Sequence, residues 1–235
     1  MVTLGRPPHG KNTDRPPIQA LLWDNDGVLV NTEELFYQAN REFFLDRDIN
    51  LTRANFFDWF LADSCGAWHL LDLAPGEITA CRAERNRRYN ALLTDAPQLQ
   101  VPGIDTLLSR LVSRVRMGIV TSARPKDFHT IHSRLALLPH FEFVVAEGDY
   151  ALSKPAPDPY LRALTLLGLA PQDCLVIEDS PRGLASAQAA GIGCIVIRSA
   201  LTANCAFHGA RHVVDSCQEL GELLLSLCPL PLPGG

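Results

Sequence analysis

With 235 residues, the chain is long enough to bury a full core and fits one large domain or a core with a smaller companion. Its composition, 47% hydrophobic and 20% charged, is that of a soluble globular protein, and a formal net charge of −5 argues against a nucleic-acid partner. Seven cysteines without a CxxC pair speak against a zinc or disulfide framework and for reduced thiols in a cytoplasmic setting, and no apolar run reaches the length of a membrane span.

Residues 1–17 contain no apolar segment, so they read as a flexible tail and not as a secretory signal. Ile18 to Asp24 is a short apolar run ending in an acid, as expected of a strand buried on both faces in a parallel sheet. Gly27 follows in a loop. A helix then starts near Thr32, with Asn31 or Thr32 as N-cap and Glu33 and Glu34 in its first turn. Residues 34–98 carry helical periodicity without a convincing strand, and Phe56, Phe57, Trp59, Phe60 and Leu61 cluster there. The segment is expected to form a helical cap of its own.

The pattern then changes. Pro102-Gly103 opens a helix through about Val115, and Met117 to Thr121 is a strand. A helix is expected over about 126–138, a strand over 141–146 and a helix over 160–167. Strands at 174–178 and 193–197 flank a short Ala-rich helix at 183–190, and 212–214 is a small last strand. Alternating strands and helices predict an α/β fold with a doubly wound, Rossmann-like parallel sheet. The core comprises 18–33 and 99–228, the cap 34–98, and 229–235, rich in Pro and Gly, is a second loose tail.

Ligands of such a sheet lie beyond the carboxyl ends of its strands, so the residues that follow each strand carry the functional reading. These are Asp24-Asn25-Asp26-Gly27, then Thr121-Ser122, then Lys154 in the loop after the third strand, then Glu178-Asp179-Ser180. Acids, hydroxyls and one lysine at one sheet edge suit phosphoryl transfer to a carboxylate. Asp24 can act as nucleophile. Mg²⁺ takes oxygen ligands, and Asp24 and Asp179 can supply them. Thr121 or Ser122, together with Lys154, can hold the remaining phosphoryl oxygens. Asp26 can protonate the leaving oxygen and later activate water.

These segments resemble the four motifs of the haloacid dehalogenase superfamily. DNDGVLVNTEE is similar to its first motif in the DxDG phosphatase type, TSAR to the second, the lysine of SKPAPDPY to the third and IEDSPRGLASAQAAGI to the fourth, in order over about residues 18–198. The resemblance implies a phosphatase with Asp24 as nucleophile, Asp26 as general acid and base, and Thr121 or Ser122 and Lys154 as phosphate binders. It places Mg²⁺ on Asp24, Asp179 and the Asp26 backbone carbonyl, with Glu178 joining directly or through water. The helical insert is similar to the type I cap, and the wording of the first motif to the sugar-phosphate branch that contains β-phosphoglucomutase. Asn31 stands where relatives usually carry Asp, and Phe36 where the sugar phosphomutases carry His.

Other residues receive plainer readings. His129, His132, His208 and His212 are expected on the surface, and Arg82, Arg85, Arg87 and Arg88 on a solvated helix face. The phenylalanine cluster is expected to be cap core. The partner is a small phosphorylated metabolite, with no nucleic acid or membrane, and a monomer is compatible with the sequence. Competing functions are a sugar phosphomutase, disfavoured by Phe36, and a phospho-signalling receiver, disfavoured because its phosphoacceptor follows the third strand, where this chain has Ala146-Glu147-Gly148-Asp149. A dehalogenase needs no metal cluster, so Asp26, Glu178 and Asp179 argue against that option.

Overall fold

The computed structural model describes residues 18–62 and 65–230. The expected tail 1–17 and residues 231–235 lie outside this range. Six strands form one parallel sheet: β1 (Ala20–Trp23), β2 (Arg116–Val120), β3 (Phe143–Val145), β4 (Cys174–Glu178), β5 (Gly193–Ile197) and β6 (His212–Val214), in the order β3-β2-β1-β4-β5-β6. Strand β1 is central, with Trp23 opposite Ile119 on β2 and Ile177 on β4. Its four residues are fully buried, which is why they read as a continuous apolar run rather than an alternating one.

Alternate residues of the strands serve opposite faces of the sheet. Leu21, Trp23, Ile119, Leu175 and Ile177 pack into one hydrophobic cluster, on the side of α4 (Ile104–Leu111), α5 (Pro125–His132) and α8 (Cys217–Leu227). Ala20, Leu22, Val120 and Val176 belong to the other, with α6 (Asp158–Leu167) and α7 (Pro181–Ala189). Helix α8 has no counterpart among the sequence-based expectations. Its start is nevertheless written locally, since the Ser216 hydroxyl accepts the Glu219 amide at 3.1 Å and the Glu219 carboxylate accepts the Asp215 amide at 3.0 Å. Helix α5 is shorter than expected. It stops at His132, whose carbonyl receives the Leu135 amide in a tight turn at 3.2 Å.

Between β1 and β2 the described chain is helical up to Asp95. Helix α1 (Glu33–Leu45) packs against α3 (Pro75–Asp95), and α2 (Arg53–Phe56) runs on into a wider turn ending at Ala62. A third apolar cluster binds this part together, centred on Tyr37, Phe43, Phe44, Phe56, Phe60 and Trp68. No helix among the described residues is long and apolar enough to cross a membrane.

Candidate active site

The strand order reverses between β1, which leads outward to β2 and β3, and β4, which leads to β5 and β6. A reversal of this kind leaves a crevice beyond the carboxyl ends of the two strands. Asp24 ends β1, Glu178 ends β4 and Asp179 follows it, and one ligand oxygen from each lies within 4.8 Å of the others in a buried cluster. The loop after Asp24 winds tightly over this point, with the Leu29 and Val30 amides bonded to the Asn25 carbonyl at 2.8 and 3.1 Å. Gly27 makes the winding possible: it sits at φ +76°, and a Cβ there would come within 1.9 Å of Asp179 Oδ2.

Lys154 reaches the same crevice from the loop before α6. All three of its protons are used: the ammonium donates to Asp24 Oδ1 at 2.8 Å, to Glu178 Oε1 at 2.6 Å and to the Val120 carbonyl at 2.9 Å. Glu178 is fully engaged too. Tyr160 donates to Oε1 at 2.9 Å, and the Asp179 amide and Ser180 hydroxyl donate to Oε2, each at 3.1 Å. A Cβ on Gly183 would strike the Glu178 carboxylate at about 2 Å, so the first turn of α7 must be bare there.

Asp26 stands apart from the buried cluster. Its Oδ1 accepts a short hydrogen bond from the Thr32 hydroxyl and its Oδ2 accepts one from the Asn25 amide at 3.2 Å. Asn25 is held in turn by His132, which donates from Nε2 at 2.7 Å. His132 is therefore buried, a correction to its expected surface position. Thr32 is the N-cap of α1 but makes no capping bond from its side chain, because that hydroxyl serves Asp26. Of the two hydroxyls after β2, Thr121 is buried and accepts the Ala123 amide at 2.9 Å, closing its own turn. Ser122 lines the crevice, and its hydroxyl has no well-formed hydrogen bond among the described residues.

The electrostatics are those of crowded carboxylates sharing one cation. Burial and the Glu178 carboxylate push Asp24 up to about 7, against the opposing pull of Lys154. Burial, then Glu33, Glu178 and Asp24, push Asp179 well above the usual carboxylate range. Burial opposes the charge on Glu178, but Lys154 and the donated hydrogen bonds outweigh it and keep this carboxylate low. Burial likewise opposes the Lys154 charge, and Asp24 and Glu178 overcome it. Glu33, expected only to favour the helix start, is half-buried beside the Asp179 carboxyl and the Ser199 hydroxyl, and burial raises it as well. The fit to a divalent cation is good. Asp179 Oδ2 is buried without a hydrogen-bond partner among the described residues, all the clustered donors are hard oxygens, and one lysine does not balance them.

The crevice continues as a cleft of about 510 Å³ whose roof comes from α1, α2 and α3. Phe56 and Phe60 belong to the apolar cluster and also face this space. Arg82 and Arg85 of α3 line it as well. Arg85 is buried, which corrects the expectation of a solvated face for that residue. Arg88 points elsewhere and pairs with Asp46 and Glu84, each at 2.7 Å.

Comparison with known proteins matches the family model described as haloacid dehalogenase-like hydrolase over residues 21–197. Protein CbbY of Rhodobacter capsulatus is 33% identical over 206 residues, covering 79% of this chain and 87% of the relative. Beta-phosphoglucomutase of Bacillus subtilis is 28% identical over 190 residues, covering 74% of this chain and 81% of the relative. Among solved structures, a mutant of CbbY from Rhodobacter sphaeroides in complex with xylulose-(1,5)bisphosphate superimposes with a TM-score of 0.75 at 28% identity, covering 87% of this chain and 96% of that one.

Proposed function

This chain belongs to the haloacid dehalogenase-like hydrolases and is a phosphatase among them, and from that premise we propose that Asp24 attacks a small sugar-phosphate monoester and carries its phosphoryl group as an acyl-phosphate. The observation that carries the reading is the Asp24–Lys154–Glu178 chain at the strand reversal. It fixes one oxygen of the nucleophile on an ammonium whose other protons are already spent, which orients the carboxylate before substrate arrives. The sugar-phosphate class follows the relatives, one of which holds xylulose-(1,5)bisphosphate.

The roles divide as follows. Asp24 is the nucleophile. Asp26, held by Thr32 and Asn25, gives its proton to the departing alcohol and then takes one from the water that cleaves the acyl-phosphate. Ser122 receives a phosphoryl oxygen, Lys154 acts on the phosphoryl group through its charge while its three protons hold Asp24, Glu178 and the Val120 carbonyl, and the engaged Thr121 shapes the loop of Ser122. Mg²⁺ would be held by Asp24, Asp179 and the Asp26 carbonyl, where it neutralises phosphoryl charge. Glu178, with both oxygens occupied, serves chiefly to fix Lys154, and any contact it makes to the ion runs through water. The helical segment 34–98 acts as a cap that closes over the cleft and excludes water. The mutase alternative is weakened at Phe36, whose ring packs against Phe56, Phe60 and Tyr89 and offers no proton.

The test is phosphate release from a panel of sugar-phosphate monoesters, with Mg²⁺ or with chelator, followed by trapping of the labelled enzyme and peptide mass analysis. Release that needs the cation, with the label on Asp24, is the expected result. Label on Asp26, Ser122 or a cysteine would overturn the assignment.

A further inference from the structure

Behind the floor of the cleft lies a buried polar pair that the reaction, as described so far, does not use. Asn25 stands between Asp24 and Asp26 and is fully buried, and His132 of α5 is 4% exposed. His132 Nε2 lies 2.7 Å from Asn25 Oδ1, and Asn25 Nδ2 donates to Asp26 Oδ2 at 3.2 Å. The Phe128 ring covers the imidazole, with centres 4.2 Å apart and planes tilted by 32°, and limits its rotation. His132 Nδ1 is buried and meets no hydrogen-bond partner among the described residues. Burying an amide and an imidazole here costs more than filling the same volume with apolar side chains, so packing alone does not account for the pair.

The direction of each bond follows from its neighbours. The end of the Asn25 amide that faces a carboxylate oxygen is its NH₂, because two acceptor oxygens repel each other. Asn25 therefore turns Oδ1 toward His132, and the imidazole must offer that oxygen a proton. Burial lowers the His132 pKa to about 4, so the ring is neutral at neutral pH and has a single N–H, which this bond places on Nε2. His132 thus holds the Asn25 amide in one of its two orientations.

The same logic separates the two oxygens of Asp26. Oδ2 faces an NH₂ that can only donate, so Oδ2 is held as an acceptor. Oδ1 faces the Thr32 hydroxyl, which donates to it here but can turn and accept instead. Asp26 and Thr32 line the cleft, whereas Asn25 and His132 stand behind that lining. We propose that His132 is a positioning residue for the acid–base step: through Asn25 it keeps Asp26 Oδ2 unprotonated and assigns the working proton to Oδ1, the oxygen on the Thr32 side. As Asp24 bonds to phosphorus and the ester P–O bond breaks, that proton passes from Asp26 Oδ1 to the departing alcohol oxygen. Oδ1 then takes a proton from the water that cleaves the acyl-phosphate. The proposal rests on the reading of Asp26 as acid and base and adds the residues that select its oxygen.

The test uses the leaving group. A nitrophenolate departs without a proton, whereas a sugar alkoxide needs one. Acyl-phosphate formation in the presence of Mg²⁺ is followed by rapid quench with two substrates, the sugar-phosphate monoester cleaved fastest and 4-nitrophenyl phosphate. The proteins are the unaltered enzyme, His132→Leu, His132→Gln, Asn25→Leu and the double variant His132→Leu with Asn25→Leu. His132→Leu should slow formation from the sugar ester by about 10-fold, the size of one lost orienting hydrogen bond, and leave formation from the nitrophenyl ester within about 2-fold. KM for the sugar ester should stay close to that of the unaltered enzyme. His132→Gln, whose side-chain NH₂ can donate to Asn25 Oδ1, should recover most of the rate. Asn25→Leu should match His132→Leu, and the double variant should be no slower than either.

Equal slowing of both esters, additive losses in the double variant, or an unchanged sugar-ester rate in His132→Leu overturns the proposal. The double-variant comparison decides on the sugar ester alone where the nitrophenyl ester is a poor substrate. If His132→Leu does not fold, Asn25→Leu cuts the same link from its other end, and its sugar-to-nitrophenyl ratio decides. Asp26→Asn separates the two readings. Turnover near that of the unaltered enzyme would overturn the acid–base role of Asp26 itself, whereas slow turnover there beside a normal rate in His132→Leu overturns only the role of His132.

Discussion

The floor and the roof of the cleft handle charge in opposite ways. On the floor, a buried ammonium and a buried carboxylate satisfy each other to the last hydrogen bond: Lys154 spends all three protons, and each oxygen of Glu178 accepts more than one bond. On the roof, Arg85 is nearly as buried but among the described residues its hydrogen bonds go to amide oxygens and its neighbours are aromatic faces. A network completed within the protein is rigid and ready before substrate binds, which suits bond making. A network without a partner of opposite charge leaves part of the burial cost of its cation uncompensated. Both sides of the cleft are built from buried polar groups, and what separates them is whether the buried cation meets a carboxylate among the described residues.

The comparison breaks first at the nucleophile. Asp24→Asn should lower turnover by about 10⁴-fold or more, because no bond to phosphorus can form. It should abolish the trapped adduct as well, and residual activity near that of the unaltered enzyme would remove Asp24 from its role. Asp26→Asn touches a residue outside the buried acid cluster and should cost less, about 10²–10⁴-fold in kcat, the range of a lost proton transfer. The acyl-phosphate should then persist, and rapid-quench labelling would detect it. An adduct that decays as fast as in the unaltered enzyme would mean that another group activates water.

Lys154→Met sharpens the claim that the floor is self-contained. Removing the ammonium strands Asp24 and Glu178 as buried carboxylates, and unfolding in urea should report a loss of about 3–5 kcal/mol. A loss below about 1 kcal/mol would mean that these acids take up protons or water at little cost. His132, behind the floor, gives the smallest effect. Burial pushes its pKa down from 6.5 to about 4, so the fold favours the neutral ring and unfolding takes up a proton at lower pH. The stability it contributes is complete above pH 6.5 and is lost as the pH falls toward 4, by about 2 kcal/mol at pH 5. Urea midpoints across this window should fall less steeply in His132→Gln, and identical slopes would show that His132 does not titrate this way.

Much of the sheet could be read in the chain because its information is local. Ile18 to Asp24, Met117 to Thr121 and Cys174 to Glu178 are apolar runs that end in polar residues, and alternation with helices leaves parallel pairing as the simple outcome. Once the strands are parallel, every polar residue at a carboxyl end faces the same edge, so Asp24, Lys154, Glu178 and Asp179 converge without any knowledge of packing. Helix α8 lies inside the expected core, but no element was expected there, although the bonds joining Asp215, Ser216 and Glu219 mark its start.

The direction and surroundings of single side chains were decided only by the tertiary structure. Thr121 and Ser122 are neighbours of similar chemistry, and the turn after β2 takes one for itself and leaves the other to the cleft. His132 has the spacing of a surface residue, but the inner face of α5 brings it to Asn25, 107 positions earlier. Arg85 lies in a run of four arginines that looks solvated as a string, while Asn40, 45 residues away, draws it inward beside Phe36 and Trp68. Desolvation depends on what the rest of the fold places around a group, and that sum over distant contacts is not written in the local pattern from which strands and motifs are read.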